Sequence, residues 1–234
     1  GNGPALLFER VTKADGAPSA MPGLVNLFGT VERVAWGLGV RPERLGELGE
    51  LLAELRQPSP PQGLGDALRR LPLARAALAM RPRATAEPPV QQVVQQGEAV
   101  DLGALPAQIC WPGEPAPLIT WPLVITAPHN GDGRDARRYN VGVYRLQMLD
   151  RDRLIARWLA HRGAAAHHRA WAASGRDMPV AIAIGADPAT MLSAVMPLPE
   201  NISELTFAGI LRVRRHEKRD RDRRRKARAL AAKN

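Results

Sequence analysis

The run Leu118 to Thr126, LITWPLVIT, constrains the fold more than any other stretch of this chain. Nine apolar or β-branched residues in succession read as a buried strand, and a proline at position 122 places that strand at an edge or a bulge, because it has no N–H for a ladder bond. The loop HNGDGRDARR follows, with Asn-Gly and Asp-Gly pairs that supply turn chemistry. It delivers the chain to Asn140, so a strand, loop, strand unit leads into the stretch Asn140 to Gly163, NVGVYRLQMLDRDRLIARWLAHRG. There the residues favour one strand from Val141 to Met148 and a polar turn at Asp150 to Asp152, after which Leu154 to Leu159 reads as the returning strand of a hairpin, a choice that rests mainly on the resemblance given below. Periodicity alone also allows one helix from Asp152 to the region of Gly175.

On either side, helix and strand signals alternate. Pro42 followed by Leu45, Leu48, Leu51, Leu52 and Leu55 predicts an amphipathic helix with proline in its first turn, stopped by Pro58, Pro60 and Pro61. A second helix is predicted over Asp66 to Met80. Short strands are predicted at Ala5 to Phe8, Leu24 to Phe28, Val90 to Val94 and Pro179 to Gly185. Ala164 to Ala173 is helical by propensity. Asp187-Pro188 caps a helix to Val195, and Asn201 to Glu204 opens another to Leu211. The alternation makes this an α/β or α+β chain. With 45% apolar and 24% charged residues it can bury a core.

Charge is unevenly placed. Residues 213–234 hold eleven Lys and Arg against three Asp and Glu, a local +8 of the total +10. A nucleic-acid reading would rest on that tail alone, acting through phosphate contacts and counterion release; without an aromatic residue it would be nonspecific. The single cysteine, Cys110, excludes an internal disulfide and a cysteine-rich metal site. No apolar run reaches the length of a bilayer span, so the chain reads as intracellular.

The stretch Asn140 to Gly163 is rich in groups that bind anions. Arg145, Arg157 and Arg162 present planar forks suited to phosphate or carboxylate, although arginines near Asp150 and Asp152 also make an ordinary solvated face. Trp158 has a core reading. Asn201 and Glu204 have the N-x-x-E spacing of a capping box. His161, His167 and His168 read as surface or capping residues and are left out of the site.

The blocks GNGPALLFE, NLFGTVERVAWGLG, WPGEPAPLITWPLVIT, NVGVYRLQ, RWLAHRG, AIGADPATMLSAVMPLP and ISELTFAGILR, in this order and at about this spacing, resemble the UbiD family of decarboxylases over residues 1–212. The resemblance is to the branch that converts 4-hydroxy-3-polyprenylbenzoate to 2-polyprenylphenol in bacterial ubiquinone synthesis. It implies a carboxy-lyase with an N-terminal α/β region at 1–100, an incomplete split β-barrel flavin-binding region at 101–212, and a basic tail at 213–234. It implies prenylated FMN as cofactor, manganese held by Asn140 and Glu204, and a monovalent cation such as potassium near the phosphate. Val143, Tyr144, Arg145, Arg157, Trp158, Leu159, Arg162 and Gly163 would contact the cofactor, and Arg145 would also meet the substrate carboxylate. The implied partners are an aromatic or α,β-unsaturated acid, a flavin prenyltransferase as cofactor supplier, and further copies of the chain. The implied location is the cytoplasm, peripheral to the inner membrane. After Arg212 the sequence does not resemble the family's continuation, a VLEG strand, a GPxGDxTGY loop bearing the inferred proton donor, and a C-terminal α/β domain. This is read as a frameshift or truncated gene model, with a fused basic tail as the alternative, and low turnover is expected of the chain alone.

Overall fold

The computed structural model describes residues 3–13, 15–57, 63, 65, 82, 85–130, 135–199 and 202–212. The helix predicted over Asp66 to Met80, residues 131–134 of the Asn-Gly and Asp-Gly loop, and the basic tail lie outside the described residues. The chain divides into two units that interleave along the sequence. The first takes Gly1–Thr30, Arg83–His129 and Val141–Gly185; the second takes Val31–Pro82, Asn130–Asn140 and Ala186–Asn234.

The first unit is mostly sheet. Strands β1 (Leu6–Phe8) and β2 (Gly23–Val25) form an antiparallel ribbon with Leu6 opposite Val25. Asn26 ends β2 at φ +57, a left-handed conformation that asparagine tolerates, and its amide donates to the carbonyls of Gly3 and Pro4. The predicted second strand therefore stops three residues short of Phe28.

The LITWPLVIT run is divided at its proline into β3 (Leu118–Ile119) and β4 (Leu123–Thr126). The stretch after Asn140 is divided likewise, into β5 (Asn140–Val143) and β6 (Leu146–Met148), and β7 (Leu154–Ala156) returns. With β8 (Val180–Ala183) these strands build two three-stranded sheets, ordered β3-β6-β7 and β5-β4-β8. Each expected single strand thus supplies one strand to each sheet. Pairing Ile119 with Leu146 sets a register which, continued, puts Thr120 and Trp121 opposite Arg145 and Tyr144. The two breaks therefore face each other beside Pro122, which cannot donate to a ladder, and the bend carries both segments from one sheet to the next.

That bend wraps one core. Ala107, Ile119, Val124 and Leu146 are buried together, and Leu105, Tyr144, Met148, Leu154, Ala156 and Trp158 pack on them. Because Ile119 and Leu146 come from one sheet and Val124 from the other, the cluster holds the two sheets in one unit. The hairpin alternative is the correct one for the second arm: Met148 pairs with Leu154 and Leu146 with Ala156. The returning strand ends at Ala156, three residues before the predicted Leu159. Helix α3 (Gly163–Ala173) then seats on the end of β4, with Thr126 Oγ1 at 2.8 Å from His167 Nδ1 and Trp171 Nε1 donating to the Ala127 carbonyl at 3.0 Å. His167 is accordingly a packing residue.

Val90 to Val94 form no strand. Pro88 and Pro89 start a 3-10 turn over Pro89–Gln91, since their fixed φ suits a turn and they offer no ladder donor, and Val90, Val93 and Val94 are exposed.

The second unit is helical. Among the described residues its elements are α1 (Val31–Leu38), a 3-10 turn at Pro42–Arg44, α2 (Leu45–Arg56), α4 (Pro188–Ser193) and α5, described over residues 204–212. The leucine stripe of α2 buries Leu48 and Leu51 as its spacing predicts. Helix α1, which the sequence expectations do not include, packs on α4 and buries Ala35 and Leu38, and its apolar residues Val31, Val34, Ala35 and Leu38 stand at helical spacing. Asp187 caps α4 by accepting from the amides of Ala189 and Thr190 and from the Thr190 hydroxyl, and it pairs with Arg212 of α5.

Burial opposes charge on Asp187, but the hydrogen bonds from Arg212 and Thr190 outweigh it and hold its carboxyl below the usual value. A lowered folded-state pKa stabilises above the unfolded value and is lost as pH falls through the folded one. Asp187→Ala is expected to cost about 1 kcal/mol at neutral pH through loss of the cap. In urea titrations the difference from wild type should shrink toward pH 2; a difference constant from pH 7 to pH 2 would contradict this account.

Candidate functional site

In the second unit, the chain before Asn140 is tightly specified. Asp135 caps a 3-10 turn at Ala136–Arg138, accepting from the Arg137 amide at 3.1 Å and from Arg137 Nε and Nη2 at 2.7 Å. The Arg137 hydrogen bond, more than any other influence, lowers the Asp135 carboxyl to about 2. Arg138 reaches back to Asn130 Oδ1 at 2.8 Å. Asn140 follows as the first residue of β5, and its Nδ2 is buried with no hydrogen-bond partner among the described residues. A buried amide nitrogen without a partner costs on the order of 1–3 kcal/mol unless an acceptor reaches it.

Helix α5 starts at Ser203. Its carbonyl accepts from the Phe207 amide at 3.0 Å and its hydroxyl accepts from the Leu205 amide at 3.3 Å, so Ser203 is the N-cap. This corrects the capping-box reading. Asn201 lies outside the described residues, and with the cap at Ser203 the third helical position is Thr206, whereas Glu204 is the first. A carboxylate in the first turn is favoured by the helix dipole whatever else it does. The Ser203 hydroxyl also donates to the Ala136 carbonyl at 3.3 Å. This bond ties the start of the helix bearing Glu204 to the turn four residues before Asn140. An amide oxygen and a carboxylate are hard donors of the kind that manganese or magnesium takes. Among the described residues no group of three His, Cys, Asp or Glu forms a self-sufficient metal cage.

In the first unit, two of the expected residues meet. The rings of Tyr144 and Trp158 stand edge to face, 5.1 Å between centroids and 78° between planes, and both lie on the apolar cluster. Gly142 makes room for this pair. A Cβ at position 142 would lie 2.6 Å from Tyr144 Cε2, because residues two apart on a strand share a face. Gly142→Ala is therefore expected to push the Tyr144 ring off Trp158 and to cost about 1–3 kcal/mol. Near-UV circular dichroism and urea unfolding would read the change, and an unaltered aromatic signal would refute it.

Val143 is half-buried, while Arg145, Arg157, Leu159, Arg162 and Gly163 are exposed. The exposure of Arg157 and Arg162 agrees with the solvated-face reading, while Asp150 of the neighbouring turn pairs with Arg153. Arg162 is the N-cap residue of α3, and its carbonyl accepts from the Ala165 amide. Arg145 Nη2 donates to Glu114 Oε1 at 3.0 Å. Neither Glu114 nor Gly142 was singled out from sequence. The only available signals were a carboxylate in the WPGEPAP turn and the glycine two residues before a tyrosine.

Residues 82–224 match the 3-octaprenyl-4-hydroxybenzoate carboxy-lyase Rift-related domain, and residues 1–52 match the N-terminal domain of the same UbiD enzymes. The chain belongs to the UbiD family. The match carries past Arg212, where the blocks recognised in the sequence stop, to residue 224. Solved structures agree. The UbiD-class enzyme HmfF from Pelotomaculum thermopropionicum, in complex with FMN, is 26% identical with a TM-score of 0.65 over 88% of this chain and 39% of that one. An evolved dimeric form of HmfF in complex with prFMN gives 26% identity and a TM-score of 0.61 over 88% of this chain and 41% of that one. The apo 3,4-dihydroxybenzoic acid decarboxylase AroY of Klebsiella pneumoniae gives 25% and 0.58 over 90% of this chain and 38% of that one. The chain spans about two-fifths of the length of these structures. Among the described residues of this UbiD-family chain, no helix is long and apolar enough to cross a membrane.

Proposed function

We propose that this chain is the cofactor-binding part of a carboxy-lyase that converts 4-hydroxy-3-polyprenylbenzoate to 2-polyprenylphenol in ubiquinone biosynthesis, with prenylated FMN and manganese. The observation that carries the cofactor assignment is the buried, unpartnered amide of Asn140, which fits a site that expects an outside acceptor such as a phosphate oxygen. The FMN and prFMN complexes of HmfF support the identity of that ligand.

Asn140 and Glu204 would hold the divalent ion, and a monovalent cation such as potassium would sit near the phosphate. Arg157 and Arg162, the latter at the N-terminus of α3, would neutralise the phosphate. Val143, Leu159 and Gly163 would line the cofactor, and the Tyr144–Trp158 pair would wall it from water. Arg145 would orient the carboxylate of the acid. When bound, the cofactor supplies the electron sink for loss of carbon dioxide. A flavin prenyltransferase would supply it, and the working enzyme would be a cytoplasmic homo-oligomer next to the inner membrane. The test is co-expression with a flavin prenyltransferase: the purified chain should carry flavin-like absorbance and bound manganese. A protein that emerges colourless and metal-free sinks the proposal.

A further inference from the structure

We infer that Glu114 is a positioning residue for Arg145, holding one edge of its guanidinium so that the rest of the fork faces a bound oxyanion, a phosphate or a carboxylate. The inference rests on the proposed function, since that reading supplies the oxyanion. The two oxygens of Glu114 do different work. Oε2 accepts from the amides of Cys110 at 2.8 Å and Trp111 at 3.3 Å, while the Glu114 amide donates to the Trp111 carbonyl at 3.2 Å. Gly113 allows that tight loop with φ +85, where a side chain would be strained. A carboxylate bound by two backbone donors of its own turn cannot swing away.

Oε1 is left to meet Arg145 Nη2 at 3.0 Å, across thirty-one residues of sequence. The acid is largely covered, 17% exposed, and the arginine open, 55% exposed. Such a half-open pair contributes little to stability. Its geometry matters more. The contact uses one of the five guanidinium N–H groups, and Nε and Nη1 stay available for a second anion. Without a fixed anchor, an arginine this exposed samples many rotamers, and a ligand would have to order it on binding.

Glu114→Gln tests this, because the amide oxygen can still accept from Cys110 and Trp111 while its NH2 group cannot accept from Arg145. FMN and riboflavin are titrated by flavin fluorescence into wild type, Glu114→Gln, Arg145→Gln and the double variant. 4-Hydroxybenzoate is then titrated into the FMN-loaded proteins. If Arg145 meets the phosphate, Glu114→Gln should weaken FMN about three- to tenfold and leave riboflavin unchanged. If it meets the acid, FMN binding should hold and 4-hydroxybenzoate should weaken by that factor. In either case the double variant should be no worse than Arg145→Gln. Losses that add in the double variant, or no loss on either ligand, overturn the inference alone. A wild-type chain that binds neither flavin overturns the functional reading together with it.

Discussion

Asn140→Ala and Glu204→Ala, each co-expressed with flavin prenyltransferase, are expected to purify with manganese depleted at least tenfold and with little flavin absorbance, while their far-UV circular dichroism matches wild type. The magnitude follows from the donor set. Two protein oxygens are proposed to fix the ion, and phosphate and water complete its shell. Outer-shell partners alone alter metal affinity about 10–100-fold, so loss of an inner ligand should do at least as much. Asn140→Asp keeps a side-chain oxygen and adds charge, so it should retain the metal. Yet it turns the buried donor Nδ2 into an acceptor, which would repel a phosphate. Manganese kept and flavin lost in Asn140→Asp would separate the two roles assigned to this side chain. Full flavin and metal in both alanine variants would remove Asn140 and Glu204 from the site.

Signals local to a few residues carried over to the structure. The leucines after Pro42 place α2, although Pro42 itself opens the 3-10 turn before that helix, and Asp187-Pro188 places the α4 cap, because each is decided within one helical turn. The hairpin of β6 and β7 is different: periodicity leaves a helix open for its second arm, and the pairing of Met148 with Leu154 decides it. What escaped depends on partners distant in sequence. LITWPLVIT looks like one strand because all nine residues favour one. Only the pairing of β3 with β6 and the neighbouring of β4 with β5 shows that the chain bends at Pro122 from one sheet into the next. Val90 to Val94 fails in the opposite direction: its β-branched residues suggest a strand, but two prolines start a turn and no neighbouring strand pairs with it. Around the expected site residues, the supporting contacts are not legible in the sequence. Fourteen residues separate Tyr144 from Trp158 and thirty-one separate Glu114 from Arg145, so only the folded chain brings each pair into contact.

Phe207→Ala is expected to be the most destabilising single change in the second unit, by about 3–5 kcal/mol. Phe207 is fully buried and has the largest side chain among the fully buried residues described. It lies on α5 with Ala208, Ile210 and Leu211, also buried, and its amide closes the first turn on the Ser203 carbonyl. For a domain whose whole stability is about 5–15 kcal/mol, the loss should lower the thermal midpoint on the order of 10 °C and shift the urea midpoint accordingly. Phe207→Leu keeps most of the buried volume and should cost less. The comparison with Glu204→Ala gives this prediction its use. Both variants should lose manganese, Glu204→Ala by removing a donor from an intact helix, and Phe207→Ala by loosening the helix that presents the donor. A thermal midpoint close to wild type in Glu204→Ala and a depressed one in Phe207→Ala would therefore assign the first loss to coordination and the second to packing. If Phe207→Ala unfolds at the wild-type urea concentration, α5 does not depend on this side chain, and its burial cannot be what holds Glu204 in place.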